Sequence, residues 1–131
     1  MPGFSDYVEN AVLNWLRATA MPTAPSGMFV GLFSSDPTDA ATGGTEVTTT
    51  IRAAGRPSAT FGAPNAAGTI ANTALIDFGN AAAAATVSHY AVFDAASGGN
   101  KLFSGALTAS KSVSTGDPVS FAIGALTLTS D

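Results

Sequence analysis

The chain has no cysteine, one histidine and very little charge. Without cysteine there is no disulfide framework and no thiolate metal site. Charged residues make up 11% of the 131 positions, against about a quarter in an ordinary soluble domain. Five basic side chains stand against nine acidic ones, a net charge of −4. No basic stripe exists to grip phosphates, which excludes a nucleic-acid binder. No run approaches the ~20 strongly apolar residues that a membrane span needs. The first residues carry Asp6 and Glu9 where a secretory leader carries Lys or Arg, so no signal peptide is read despite the "ATA" at Ala18–Ala20. Internal repeats and heptads are missing too.

What is there is patterned. "SDYVENAVLNWLRAT", residues 5–19, spaces Val8, Ala11, Val12, Trp15 and Leu16 along one helical face. Either Asp6 with Glu9, as a capping box, or Ser5 would cap it. Pro22 and Pro25 then end the helical pattern. One short helix with one apolar stripe must lie on something, either its own sheet or a neighbouring subunit.

After Gly27 the period changes from 3.6 to 2. "MFVGLFSS" places Met28, Val30 and Leu32 on one face and Phe29 and Phe33 on the other. "EVTTTI" reads as a short edge strand and "SATFGAP" as a firm one. "NAAGTIANTALIDFGN" holds a third and a bent fourth strand, and "VSHYAVFDAASGGNKLFSGALT" two more about a Gly-Gly-Asn turn. "VSFAIGALTLT" is the last. The Ala81–Ala85 run is too short for an independent helix and reads as a tightly packed loop. The expected fold is mostly β, an antiparallel jelly-roll-like β-sandwich with one N-terminal α-helix. Residues 1–26 form the helix and its Pro-rich connector, and 27–131 the sandwich, within one structural unit.

The chemistry is sparse. Strict alternation puts Val87, His89, Ala91 and Phe93 on one face and Ser88, Tyr90, Val92 and Asp94 on the other, which disfavours a His89–Asp94 dyad. No G-x-S-x-G elbow exposes a nucleophile, and no Walker or dinucleotide motif occurs. Asp36, Asp39 and Glu46 do not follow calcium-loop spacing; Asp36 and Asp94 read as turn initiators. Arg52 and Arg56 are the one close basic pair, suited to ion pairing within the chain or between subunits. No enzyme, cofactor, metal or small-molecule substrate is expected. The candidate partner contacts are Val8, Val12, Trp15, Leu16, Arg52 and Arg56.

The segments "MFVGLFSSDPTDAATGGTEV", "RPSATFGAP", "FDAASGGN" and "VSTGDPVSFAIGALTLT", in this order from about Gly27 to Asp131, resemble a family of small tailed-bacteriophage virion proteins. Its members are labelled tail-fibre proteins, and similar small sandwiches serve as capsid cement or decoration proteins. "TTTIRAAGR" departs from the family's pattern, in which a Gly-rich link ends in an aromatic before the arginine. The resemblance implies no catalytic residues and a place in the virion, on the particle's exterior. Because a fibre projects through repeats or coiled coils, which are lacking here, the favoured expectation is a homotrimeric cement protein bound to the major capsid protein. The alternative is a tail-fibre or tail-tip module, joined to tail proteins, that adsorbs to host carbohydrate. That alternative requires a groove of Tyr90, Trp15 or Phe rings with Asp and Asn nearby.

Overall fold

The computed structural model describes residues 3–130; Met1, Pro2 and Asp131, which fall inside the expected domain bounds, lie outside it. In chain order the elements are β1 (Gly3–Phe4), α1 (Asp6–Leu16), β2 (Met28–Phe33), α2 (Thr48–Ile51), β3 (Ser58–Ala59), β4 (Thr69–Ala71), β5 (Ile76–Asn80), β6 (Ala85–Phe93), β7 (Lys101–Val113), β8 (Pro118–Phe121) and β9 (Thr127–Thr129). The protein is mostly β, with an N-terminal helix and several antiparallel sheets. One sheet has five strands in the order β1-β7-β6-β2-β3, and two ribbons pair β4 with β9 and β5 with β8. Pairing is antiparallel throughout the described strands.

One apolar cluster joins all three sheets. Val30, Leu32, Tyr90, Val92 and Phe103 of the large sheet meet Ile76 and Phe78 of β5 and Leu128 of β9. The alternation read for β2 holds, because Val30 and Leu32 enter this cluster while Phe33 joins Ala91 and Phe93 in a second one behind the sheet. In β6 the alternation breaks. Val87 shares the main core with Tyr90 and Val92, not the face of Ala91 and Phe93. The ladder with β7 shifts register at this point, two steps of β6 from Val87 to His89 standing against five of β7 from Lys111 to Ala106, and such an irregularity bends the pair and interrupts its alternation locally.

The β6–β7 hairpin follows its turn chemistry. Gly98 and Gly99 adopt positive φ, and Asp94 ties the loop by accepting from the Asn100 backbone at 2.7 Å and side chain at 3.0 Å.

Three expected strands change form. "EVTTTI" is not an edge strand: only Glu46 bridges to Phe33, and Thr48–Ile51 is a helical turn. The Thr48 hydroxyl accepts from the Leu32 backbone N–H at 2.9 Å, so a side chain fills the place of a ladder carbonyl and the chain is free to coil. "SATFGAP" pairs as a strand only at Ser58 and Ala59, with one bridge from Phe61 to Asn72. The last segment is two strands, β8 and β9, parted at Gly124, whose φ is 78°. Buried Asn72 holds that break open: its side chain donates to Ala122 O and accepts from Leu126 N, at 2.9 and 3.0 Å.

Candidate interaction surface

The helix that carries four of the candidate contacts is fixed at its start. Ser5 is its N-cap, its hydroxyl accepting from Val8 N; the Asp6–Glu9 box is not the cap. The same hydroxyl donates to the Lys101 carbonyl. The Ser5 backbone donates to Leu102 O at 3.0 Å and that of Asp6 to Asp39 O at 2.8 Å.

Beneath this start lies Lys101, only 4% exposed. Its Nζ donates to Pro37 O at 2.6 Å. Burial pulls the Lys101 pKa down, and the negative fields of Asp39, Asp36 and Asp6 partly restore it. The 36–39 loop, β7 and the first turn of α1 are thus held at one buried point.

Beyond its first turns the helix leaves its own body. Val8 and Val12 are half-buried, whereas Trp15 is 59% exposed and Leu16 67%. Leu13, off the stripe that the spacing defines, is 61% exposed and Met21 of the following arm 48%. No residue of α1 is fully buried. The apolar stripe therefore continues past the surface that covers it, and large apolar side chains left in water mark a contact more often than scattered small ones do.

The two arginines behave differently. Arg52 donates through Nη1 to Gly55 O at 2.8 Å, staying within its own turn. Arg56, 8% exposed, is spent wholly inside the chain. Its Nε and Nη2 grip both oxygens of Glu46 at 2.8 Å, and its Nη1 donates to Ala95 O and Gly98 O at 3.0 and 2.7 Å. The guanidinium lies 3.4 Å from the centroid of the Phe93 ring. Gly31 makes room for this pair, since a Cβ there would come within 2.7 Å of Glu46 Oε2. Burial raises the Glu46 pKa, but hydrogen bonds from Arg56 and Thr48 and the Arg56 charge outweigh it and hold the carboxyl below its ordinary range.

Among the described residues His89 makes no ion pair with a carboxylate. Its Nδ1 lies 2.7 Å from the neighbouring Ser88 hydroxyl, while Asp94 is occupied by Asn100. Among the described residues no three His, Cys, Asp or Glu side chains gather as a metal site, and no helix is long and apolar enough to cross a membrane.

A feature that the sequence did not announce is an open cleft of about 600 Å³ where the far half of β7 faces β8 and β9. Val87, Tyr90, Phe103, Leu107, Phe121 and Leu126 form its apolar floor. Burial pushes the Tyr90 hydroxyl up to about 12. Lys111 is the single charge among the described lining residues, and no Asp or Asn is among them. The rim is open because β1 pairs with β7 only at Phe103 and Ser104. The residues that build it come from four separated segments, and only the folded topology assembles them.

The described residues leave an exposed apolar helix end at one place and an open apolar cleft at another. No curated protein matches the chain. Residues 3–129 match the family model described as Podophage GP4 fiber I protein gp80, and the chain belongs to that family of non-enzymatic phage virion fibre proteins.

Proposed function

We propose that this protein is a building component of the fibre apparatus on the exterior of a short-tailed phage particle, joining its partners through shape and apolar burial. The family match across residues 3–129 carries the reading, and it favours a fibre position over the capsid-cement role expected from the sequence. The exposed end of α1 supports assembly by protein contact, and copies of the chain associate as a homotrimer in this reading. The shared core of the large sheet and the two ribbons supports an open two-layer sandwich as the body of each copy.

Of the two expected variants of a fibre role, a structural one suits the chemistry better than carbohydrate adsorption. The cleft has rings, Tyr90, Phe103 and Phe121, but Trp15 is elsewhere and no described Asp or Asn side chain lines it to hold sugar hydroxyls. One observation keeps the cement reading in view: a compact body without repeats does not by itself span length.

The test is location. Antibody labelling of intact particles, followed by electron microscopy, should place the protein on the fibres. Label spread evenly over the head would replace the fibre reading with the cement one, and strong binding to host glycans would restore adsorption.

A further inference from the structure

We infer that copies of this chain join by exchanging their N-terminal arms, β1 with α1, each arm taking on a neighbour's β7 the place it holds on its own. This rests on the fibre reading, in which copies assemble, and names the element that joins them.

The receiving surface and its occupant are both seen within one chain. Gly3 and Phe4 pair with Ser104 and Phe103 of β7, and the Phe4 ring meets the Phe103 ring edge-on, centroids 6.1 Å apart. The Ser5 backbone donates to Leu102 O, the Ser5 hydroxyl to Lys101 O, and the Asp6 backbone to Asp39 O. An arm that lifts away strips these carbonyls and the β7 edge of their partners, and buried backbone groups demand a replacement. A second copy's arm restores every one of these bonds. The exchanged contact needs no complementarity beyond the one the single chain already has.

The connector is suited to opening. Residues 17–26 are all exposed, and among the described residues none of 20–26 takes part in a hydrogen bond. Fully extended, this stretch reaches roughly 33 Å, which carries the arm away from its own body. Pro22 and Pro25 bias the backbone toward the extended form that an exchanged connector takes.

Ala18 adds a driving force. Just past the helix it holds a φ of 68°, a left-handed conformation that is costly for a residue with a Cβ and usual for glycine. When the arm swings out through Ala18, the backbone there returns to a negative φ. The closed chain therefore bears a strain that the exchanged one sheds. Proximity still favours a chain's own arm, so exchange grows with concentration. Arm and receiving edge are different patches, so exchange runs head-to-tail and closes into a ring when the rotation allows. A ring of three is the homotrimer of the fibre reading.

The chain has no cysteine, so introduced thiols report whose arm sits where. Asp6→Cys and Asp39→Cys, together in the full-length chain, place thiols at exposed residues whose backbones share a 2.8 Å hydrogen bond. The protein is refolded at high concentration, separated by gel filtration, linked with a short bis-maleimide and sized under denaturing conditions. The fraction above monomer mass should yield covalent products of two and three chains. The monomer fraction should yield a link within one chain, and each single-cysteine variant no link at all. Gly3→Cys with Ser104→Cys, register partners joined as a disulfide, replaces the pair if its far-UV circular dichroism is not native.

Ala18→Gly removes the strain from the closed chain and should weaken association about fivefold or more in sedimentation equilibrium. A wild type that stays monomeric at every concentration, or an associated fraction linked only within single chains, would overturn the inference. So would links in a single-cysteine variant, or an Ala18→Gly chain that associates as tightly as the wild type. None of these outcomes touches the fibre assignment, which rests on location in the particle.

Discussion

The Arg56 node and the end of α1 are opposites. At Arg56 each guanidinium nitrogen donates to a partner in the same chain, the ring of Phe93 lies beneath, and Gly31 has given up its side chain to make space. At the helix end, Leu13, Trp15 and Leu16 have no such company. Both regions hold residues with the typical features of an interface, an arginine in one and a tryptophan in the other. Only the unsatisfied one has anything left to offer a partner. Residue type nominates a contact; the accounting of what each group already touches decides it.

That contrast can be broken from the saturated side. Arg56→Ala leaves Glu46, whose side chain is 29% exposed, without its ion pair, and should cost about 1.5–3 kcal/mol of stability, the range for hydrogen bonds to a charged group. Urea denaturation measures it, and a loss under about 1 kcal/mol would mean that the node is a surface ion pair. Arg56→Lys should recover little, because an ammonium cannot grip both carboxylate oxygens and two carbonyls at once.

Gly31→Ala should cost about 1–3 kcal/mol by crowding the same pair, seen as a lower urea midpoint with an unchanged slope.

Acid sharpens the comparison. The folded-state pKa of Glu46 lies below its ordinary 4.5. Its contribution is therefore complete above about 4.5 and is lost as pH falls through the lower folded value. Thermal melts between pH 6 and pH 3 should show that loss in the wild type, and Glu46→Gln should flatten it. An equal fall in both proteins would assign the acid sensitivity to other carboxylates.

The smallest effect belongs to the helix end. Leu16→Asp and Trp15→Ser should each change monomer stability by no more than about 0.5 kcal/mol, the usual range for surface positions. A larger loss in denaturation would show that the helix end packs on its own body after all.

Much of this was legible in the residues. The β2 and β6–β7 strands follow from alternation and from turn residues, signals that act over a few neighbours. So does the stripe of α1. The Asp94 turn reads directly from the composition of its loop.

What escaped depends on distant partners. Thr48 diverts its segment into a helical turn because Leu32, sixteen residues earlier, presents it with an N–H. Asn72 parts β8 from β9 through partners 50 and 54 residues away. The Val87 shift lies where two steps of β6 meet five of β7, a mismatch visible only once the two strands are paired. Arg56 was named as a contact candidate with intrachain pairing left open, and its partner Glu46 sits ten residues away in what read as a strand. The cleft had no linear signal at all.

Lys101 acts as the base of a lever. The three segments that it holds set the angle at which α1 departs, and an eleven-residue helix is roughly 16 Å long. By that geometry a tilt of about 10° at the root swings the tip by about 3 Å, nearly the width of an atom. Changes in the 36–39 loop can therefore re-aim the exposed apolar tip without touching any residue of it. Drift in that loop offers a lineage a way to redirect the tip while the tip's own residues stay the same.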